Sequence, residues 1–220
     1  MLAHELISNQ VVPLRTSDTG LLALSLMDEY KTTHLPIVNG EIFYGLISED
    51  DIFSFNQFEE AIGAHEIKKN NISIKKDQHI FDVLQLIHEH KLSLLPVVDE
   101  QDLYLGSIVV SELPALLAEI TGVTNPGGVI VLEMNIHDYS MSEIAQIVES
   151  NNRKILNLYV NTFNDSTKVE VTLKLNTVDI DAVLQTFWRY NYNVKASYTE
   201  ADLNDSMSER YHSLMNYLNI

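Results

Sequence analysis

Ser48 and Asp51 place a hydroxyl and a carboxylate together at the start of a helix. Gly45-Leu46-Ile47 reads as strand, Ser48 ends it, and Asp51 falls in the first turn of a helix expected over 50–58. A serine hydroxyl both donates and accepts, and a carboxylate accepts more than once. The helix N-terminus beside them favours a carboxylate and could also meet a phosphate. The same two side chains could instead simply cap that helix. The sequence leaves both readings open.

Other reactive residue types offer less. His88-Glu89-His90 resembles a metal cluster on paper. On a helix, however, residues i and i+2 point about 200° apart, so the two imidazoles cannot share an ion and no metal site is expected. The absence of cysteine removes disulfides, thiol catalysis and Cys-based zinc sites. No Gly-x-Ser-x-Gly, phosphate-binding loop or His-Glu-x-x-His occurs. No catalytic residue is therefore assigned, no cofactor is required, and the chain is read as not an enzyme.

Charge narrows the partners. The 220 residues carry a formal charge of −17, with a pI near 4.7. Such a surface repels phosphate backbones and disfavours nucleic acid as a partner. An anionic ligand would need a local basic patch. No apolar run approaches the ~20 residues of a membrane span, so no membrane partner is expected. The first residues lack a basic segment followed by an apolar run, and the expected location is the cytoplasm.

The elements that position Ser48 and Asp51 are written twice. Ala3-His4-Glu5-Leu6 recurs as Ala64-His65-Glu66-Ile67, Leu35-Pro36-Ile37-Val38 as Leu95-Pro96-Val97-Val98, and Gly45 as Gly106. The offset is 61 residues at both ends and 60 in the middle. A period this long means paired modules, with a cleft between them where a small molecule could sit. In the first copy, strand 11–14 precedes a helix capped by Thr16 or Asp18 and carrying Leu22, Ala23, Leu26, Met27 and Tyr30 on one face. A hairpin follows, turning at Asn39-Gly40, and then the second helix. The second copy repeats the order, with strand 71–74, a helix capped by Asp77, a hairpin with an acidic tip at 99–102, and a helix over 112–120. Each copy reads β-α-β-β-α.

After the Pro-Gly-Gly boundary at 126–128 a different unit begins. Strand 129–134 leads to a capping box, Ser140 with Glu143, and a helix burying Ile144, Ile147 and Val148. Strand 155–163 and a turn at 164–167 come next. Residues 168–175 then alternate polar and apolar, as a strand wet on one face does. Thr177 caps a helix with Ile180, Val183, Leu184 and Phe187, and strand 194–198 closes the unit. The order βαββαβ is the ferredoxin-like split unit. Residues 201–219 read as a further amphipathic helix with Leu203, Met207, Tyr211, Leu214, Met215 and Leu218 on one side.

These segments carry a resemblance. The Val12-Pro13 strand, Leu35-Pro36-Ile37-Val38 and Gly45-Leu46-Ile47-Ser48-Glu49-Asp50-Asp51, in order and twice over, resemble a tandem CBS module across about residues 1–120. Residues 128–199 resemble an ACT domain by element order. The combination is similar to the acetoin-utilisation (AcuB-type) proteins. The resemblance implies an α/β (α+β) chain: CBS repeats at 1–60 and 61–122, an ACT-like domain at 128–199 and a C-terminal helix at 201–219.

The resemblance also implies a ligand. Tandem CBS modules typically bind adenosine compounds such as AMP, ATP or S-adenosylmethionine, holding the ribose with Gly-φ-x-Ser/Thr-x-x-Asp, where φ is apolar. Gly45, Ser48 and Asp51 fit that pattern. In the second copy Gly106 is kept and Glu112, which can still accept a ribose hydrogen bond, replaces the aspartate, so these two mark a candidate second site; Val109 replaces the hydroxyl, however, and one competent site at most is expected. For phosphate, Arg15, His34, Lys75, Lys76, His79 and Lys91 are candidates by type alone. Amino-acid-binding ACT domains carry a glycine in the first turn. Here it reads His137-Asp138-Tyr139-Ser140-Met141, keeping Asp138 but no glycine, which disfavours close approach of a ligand to the backbone. The expectation is a homodimeric regulator with a nucleotide ligand and an unidentified protein partner. A ligand-free scaffold and an amino-acid-responsive regulator are the alternatives.

Overall fold

The repeated apolar segments form antiparallel hairpins in the structure, a computed structural model that describes residues 1–55, 57–65, 71–163 and 167–199. The chain divides into two units, Met1–Ala115 and Leu116–Ile220. Among the described residues no helix is long and apolar enough to cross a membrane. The mixed α/β architecture is the expected one. The expected helix over 201–219 and most of the turn at 164–167 lie outside the described residues.

In the first unit, helix α1 (Gly20–Tyr30) precedes β1 (His34–Asn39), β2 (Ile42–Ser48) and the short α2 (Glu49–Phe53). The second repeat gives β3 (Ile74–Lys75), α3 (Ile80–His90), β4 (Leu94–Val98), β5 (Tyr104–Val109), a 3-10 turn Val110–Glu112 and α4 (Leu113–Ile120). Leu14, Ala23, Met27, Leu35, Ile37, Ile47 and Ile52 of the first repeat form one buried core with Ile62 of the second. Both hairpins carry the same bulge. Ile37 pairs with Gly45 but Val38 with Phe43, and Val97 pairs with Gly106 but Val98 with Tyr104. Gly45 and Gly106 follow the bulged residue at φ +146° and +155°, a conformation that favours glycine. The two glycines thus have a backbone role whatever binds nearby.

Several local expectations are corrected. The first strand of copy one shrinks to a single parallel bridge, Leu14 to Ile37. Pro13 has no N–H to extend the ladder, and Arg15 turns back onto Asp18 through a 2.7 Å hydrogen bond from its backbone N–H. Strand 71–74 likewise reduces to Ile74–Lys75. The first hairpin turns one residue later, across Gly40-Glu41, because Asn39 stays in β1 and its amide bonds Thr16. Helix caps move too. Thr19 caps α1 in place of Thr16 or Asp18, and His79 caps α3 in place of Asp77. The helix expected over 50–58 ends at Phe53.

Each copy's leading segment is attached to the other copy. The 3-10 turn Ala3–Leu6 hydrogen-bonds the second repeat, Ala3 N to Gln78 O at 2.9 Å and His4 N to Lys76 O at 3.0 Å. Conversely, Ile62 N donates to Asp18 O at 2.7 Å and Gly63 N to Thr16 O at 2.8 Å in the first repeat.

The second unit comprises β6 (Val129–Asn135), α5 (Met141–Ser150), β7 (Ile155–Thr162), β8 (Lys168–Leu175), α6 (Asp181–Arg189) and β9 (Asn193–Tyr198). Its antiparallel sheet has the order β7-β8-β6-β9, the ferredoxin-like arrangement. One face of β8 is buried throughout, Val169, Val171, Leu173 and Leu175, under the apolar sides of α5 and α6. Ser140 caps α5 as expected, while the Glu143 carboxylate meets the Tyr192 hydroxyl. Thr177 does not cap α6. Its hydroxyl accepts from Asp179 N, and Ile180 holds the cap position without a side-chain bond.

Candidate functional site

Ser48 leaves β2 in an extended conformation and so becomes the N-cap of α2. Its hydroxyl oxygen accepts from Asp51 N at 3.1 Å, and its own N–H donates to Asp51 Oδ2 at 3.0 Å. That is a closed capping box. The Ser48 hydroxyl also donates to Asp51 Oδ2 at 2.6 Å. The capping reading of the sequence is therefore realised. It leaves Asp51 Oδ1 without a hydrogen-bond partner among the described residues. A ligand hydroxyl could bond that oxygen directly, or displace the Ser48 hydroxyl from the other one.

Ser48 opens onto a cavity of about 400 Å³ lined by Thr33, His34, Ser48, Glu49, Asp50 and Lys91. Five of the six come from the first repeat and Lys91 from the second. The two repeats meet beside it. Thr33 N donates to Ser93 Oγ at 2.8 Å, and His34 Nδ1 lies 3.1 Å from the same hydroxyl. Thr33 and Ser93 occupy corresponding positions of the two copies, 60 residues apart, so the junction lies on the pseudo-two-fold relation. Burial pulls the His34 imidazole below its ordinary value, and the opposing pull of the Asp51 and Asp50 carboxylates does not overcome it. His34 is thus held largely neutral near pH 7.

Lys91 differs from its counterpart for a reason legible in the sequence. Lys31 and Lys91 both end a helix in the left-handed conformation, at φ +53° and +52°. Lys31 is bound by Asp28 at 2.9 Å. The residue corresponding to Asp28 is His88, and Lys91 has no ion-pair partner among the described residues. Lys91 itself lines the cavity. The remaining cationic candidates do not converge there. Lys75 bonds Asp102 at 2.6 Å, Lys76 pairs with Glu100 at 3.1 Å, His79 caps α3, and Arg15 lies exposed beside Asp18. The expected phosphate contact from the helix N-terminus also weakens, because α2 is a five-residue helix whose first turn already holds Glu49, Asp50 and Asp51.

The second copy's positions are covered by the chain itself. Ser8 Oγ donates to Glu112 Oε1 at 2.8 Å, and Ser8 N donates to Ser107 O at 2.9 Å. Ile7 lies over Gly106 so closely that a Cβ there would sit 2.3 Å from Ile7 Cγ2. With Val109 buried in place of a hydroxyl, Gly106 and Glu112 hold the N-terminal segment.

In the second unit Asp138 ends a 3-10 turn, where Asn135 Nδ2 donates to it at 3.2 Å. It borders a cavity of about 370 Å³ together with Glu133, Glu143, Tyr190 and Tyr192. Lys168 bonds Glu133 and holds its carboxyl below the usual range. Burial, then the charge of Glu143 and its hydrogen bond, push the Tyr192 phenol up to about 12. Among the described residues no group of three or more His, Cys, Asp or Glu side chains could hold a metal ion. The residues that sequence reasoning missed are Thr33, Ser93, Glu49 and Asp50. The shared offset of Thr33 and Ser93, and of Lys31 and Lys91, is the signal that could have found the junction.

The CBS domain family matches residues 3–56 and 64–117. Over 112 residues the chain is 23% identical to inosine-5′-monophosphate dehydrogenase of Methanocaldococcus jannaschii, taking in 50% of this chain and spanning only 22% of that relative's length. Among solved structures, the acetoin utilization protein AcuB of Vibrio cholerae is 20% identical, over 56% of this chain and 95% of that one, at a TM-score of 0.49. A CBS domain pair/ACT domain protein of Thermotoga maritima is 21% identical, over 54% and 98% respectively, at a TM-score of 0.47.

Proposed function

We propose that this protein, whose residues 3–56 and 64–117 are a tandem pair of CBS domains, is a non-catalytic cytoplasmic regulator that binds an adenosine ligand between its repeats. One observation carries the reading: Ser48 from one repeat and Lys91 from the other converge on a single cavity, with Asp51 directly behind Ser48. In it, Asp51 accepts the ribose hydroxyls, Ser48 exchanges its bond to Asp51 for one to the ligand, and Gly45 shapes the bulge that aims both. Gly106 and Glu112 serve the fold, so the pair has one site. The boundaries proposed are 1–60 and 61–122 for the repeats and 128–199 for an ACT-like domain, to which binding is transmitted by differential affinity for two arrangements. A homodimer is part of the proposal. Light scattering that reports a monomer at micromolar concentration overturns that part.

The test is the melting temperature of the full chain with AMP, ATP, S-adenosylmethionine and single amino acids. A ligand at ~100 times its dissociation constant adds about 2.7 kcal/mol, a shift of several degrees. Asp51→Ala is expected to abolish that shift, beyond lowering the unliganded protein by about 1 kcal/mol through the lost cap. Asp51→Asn keeps a carbonyl acceptor and is expected to retain part of it. A shift that survives Asp51→Ala contradicts the assignment. A shift with an amino acid alone favours the Asp138 cavity.

A further inference from the structure

Among the described residues, α5 and α6 both pack on one face of the second unit's sheet. The strand registers define the other face. Tyr159, Thr172, Val131 and Ala196 form one row across β7-β8-β6-β9, and Asn157, Lys174, Val129 and Tyr198 form the next. A sheet face that stays wet carries polar residues. These rows instead hold Val129, Val131, Ala196 and two tyrosines, with Tyr159 53% and Tyr198 60% exposed. Beside them lies a cavity of about 250 Å³ whose lining includes Val123, Val129, Tyr159 and Thr172. Lys174 donates its ammonium to Gly127 O at 2.7 Å. Beyond Val131 the face turns charged, where Lys195 pairs with Glu170 and Lys168 with Glu133. The apolar patch is thus confined to the end of the sheet where the chain leaves β9. A contiguous apolar patch of this kind marks a contact surface.

We infer that residues 201–219 of the same chain fold back as a helix onto this patch and cover it. The described residues end at 199, one past β9, so the segment starts from the patch itself. Its Leu203, Met207, Tyr211, Leu214, Met215 and Leu218 fall within about 120° of a helix circumference at about 100° per residue. Asp202, Asp205 and Glu209 fall on the opposite side, so docking the stripe buries no carboxylate. A helix of this length runs ~28 Å, enough to cross four strands spaced ~4.8 Å apart. Only Thr199 and Glu200 separate Tyr198 from the segment. So short a tether gives an effective concentration on the order of millimolar, which favours this segment over a second copy or a separate protein at micromolar concentration.

The chain has no cysteine, so a single introduced thiol reports on this face alone. In the full chain carrying Thr172→Cys, labelling by a maleimide is expected to be about tenfold slower than in the same chain with Leu203→Asp/Leu214→Asp added. The two aspartates charge the apolar stripe and leave the sheet untouched. Tyr159→Cys, at an exposed position of the edge strand β7, is the second reporter should Thr172→Cys disturb the fold, and the same ratio is expected there. Protection independent of protein concentration is the expected result. Protection that disappears on dilution assigns the cover to a second copy and overturns the inference. Equal labelling with and without the two aspartates overturns it as well.

Discussion

Replacing Ile47 with alanine is expected to remove about 2–5 kcal/mol of stability from the first unit. Ile47 is fully buried and pairs across the hairpin with Leu35. It packs in the core with Leu14, Leu35 and Ile52, all of them closed to solvent. Truncation loses the transfer energy of three carbons and leaves a cavity that a bulged hairpin cannot easily collapse. Function should suffer with stability, since Ile47 immediately precedes Ser48. A looser β2 lets the Ser48–Asp51 pair drift, and a binding constellation tolerates only about 0.5 Å of such drift. Urea unfolding followed by far-UV circular dichroism measures the first effect. Tyr44→Ala, on the same strand but 45% exposed, is the control, expected within about 0.5 kcal/mol of wild type. A loss below 1 kcal/mol at Ile47 contradicts the described packing.

In the second unit the largest effect is expected at Phe187, where alanine should cost about 3–5 kcal/mol. The ring is fully buried and meets Tyr192 edge-on, with centroids 5.4 Å apart. It fills the space between α6 and the sheet beside Ile147, Val171 and Leu184. The adjoining Trp188 is the chain's one tryptophan and is 57% exposed. Its fluorescence therefore follows this unit without being part of the core that is damaged. Phe187→Ala should move the fluorescence transition to lower urea while the adenosine-induced stabilisation of the first unit persists. Loss of ligand response together with the fluorescence change places the ligand in the second unit and contradicts the assignment to Ser48 and Asp51.

The sequence was most informative where a period repeats over many residues. The alternation of 168–175 fixes one buried face of β8, and the stripe Ile180, Val183, Leu184, Phe187 fixes the inner side of α6. It was least informative at element ends. Thr16, Asp18, Asp77 and Thr177 are all suitable caps by type. Which residue caps depends on where the backbone turns helical, and that is set by tertiary hydrogen bonds such as Ile62 N to Asp18 O. The strand at 11–14 failed for a local reason, the missing N–H of Pro13.

At the site, Ser48 and Asp51 were legible because one helix start places both. The closed box between them follows from the short reach of Ser and Asp. Glu49 and Asp50 fill the two unspecified positions of the ribose pattern, so the motif does not single them out, and their place on the cavity shows only beside Lys91, some forty residues away. That approach depends on how two repeats dock, which no local pattern encodes. The covering of Gly106 and Glu112 by Ile7 and Ser8 is of the same kind. The departure of copy two from the ribose pattern was visible, but the segment that occupies the space was not.

The proposed adenosine ligand sits at the junction of the two repeats. Amide hydrogen exchange of the full chain, with and without saturating S-adenosylmethionine, tests it most directly. Protection confined to the residues around Ser48–Asp51 and Lys91–Ser93 is the predicted result. Protection around Glu133–Glu143, or none anywhere, would contradict it.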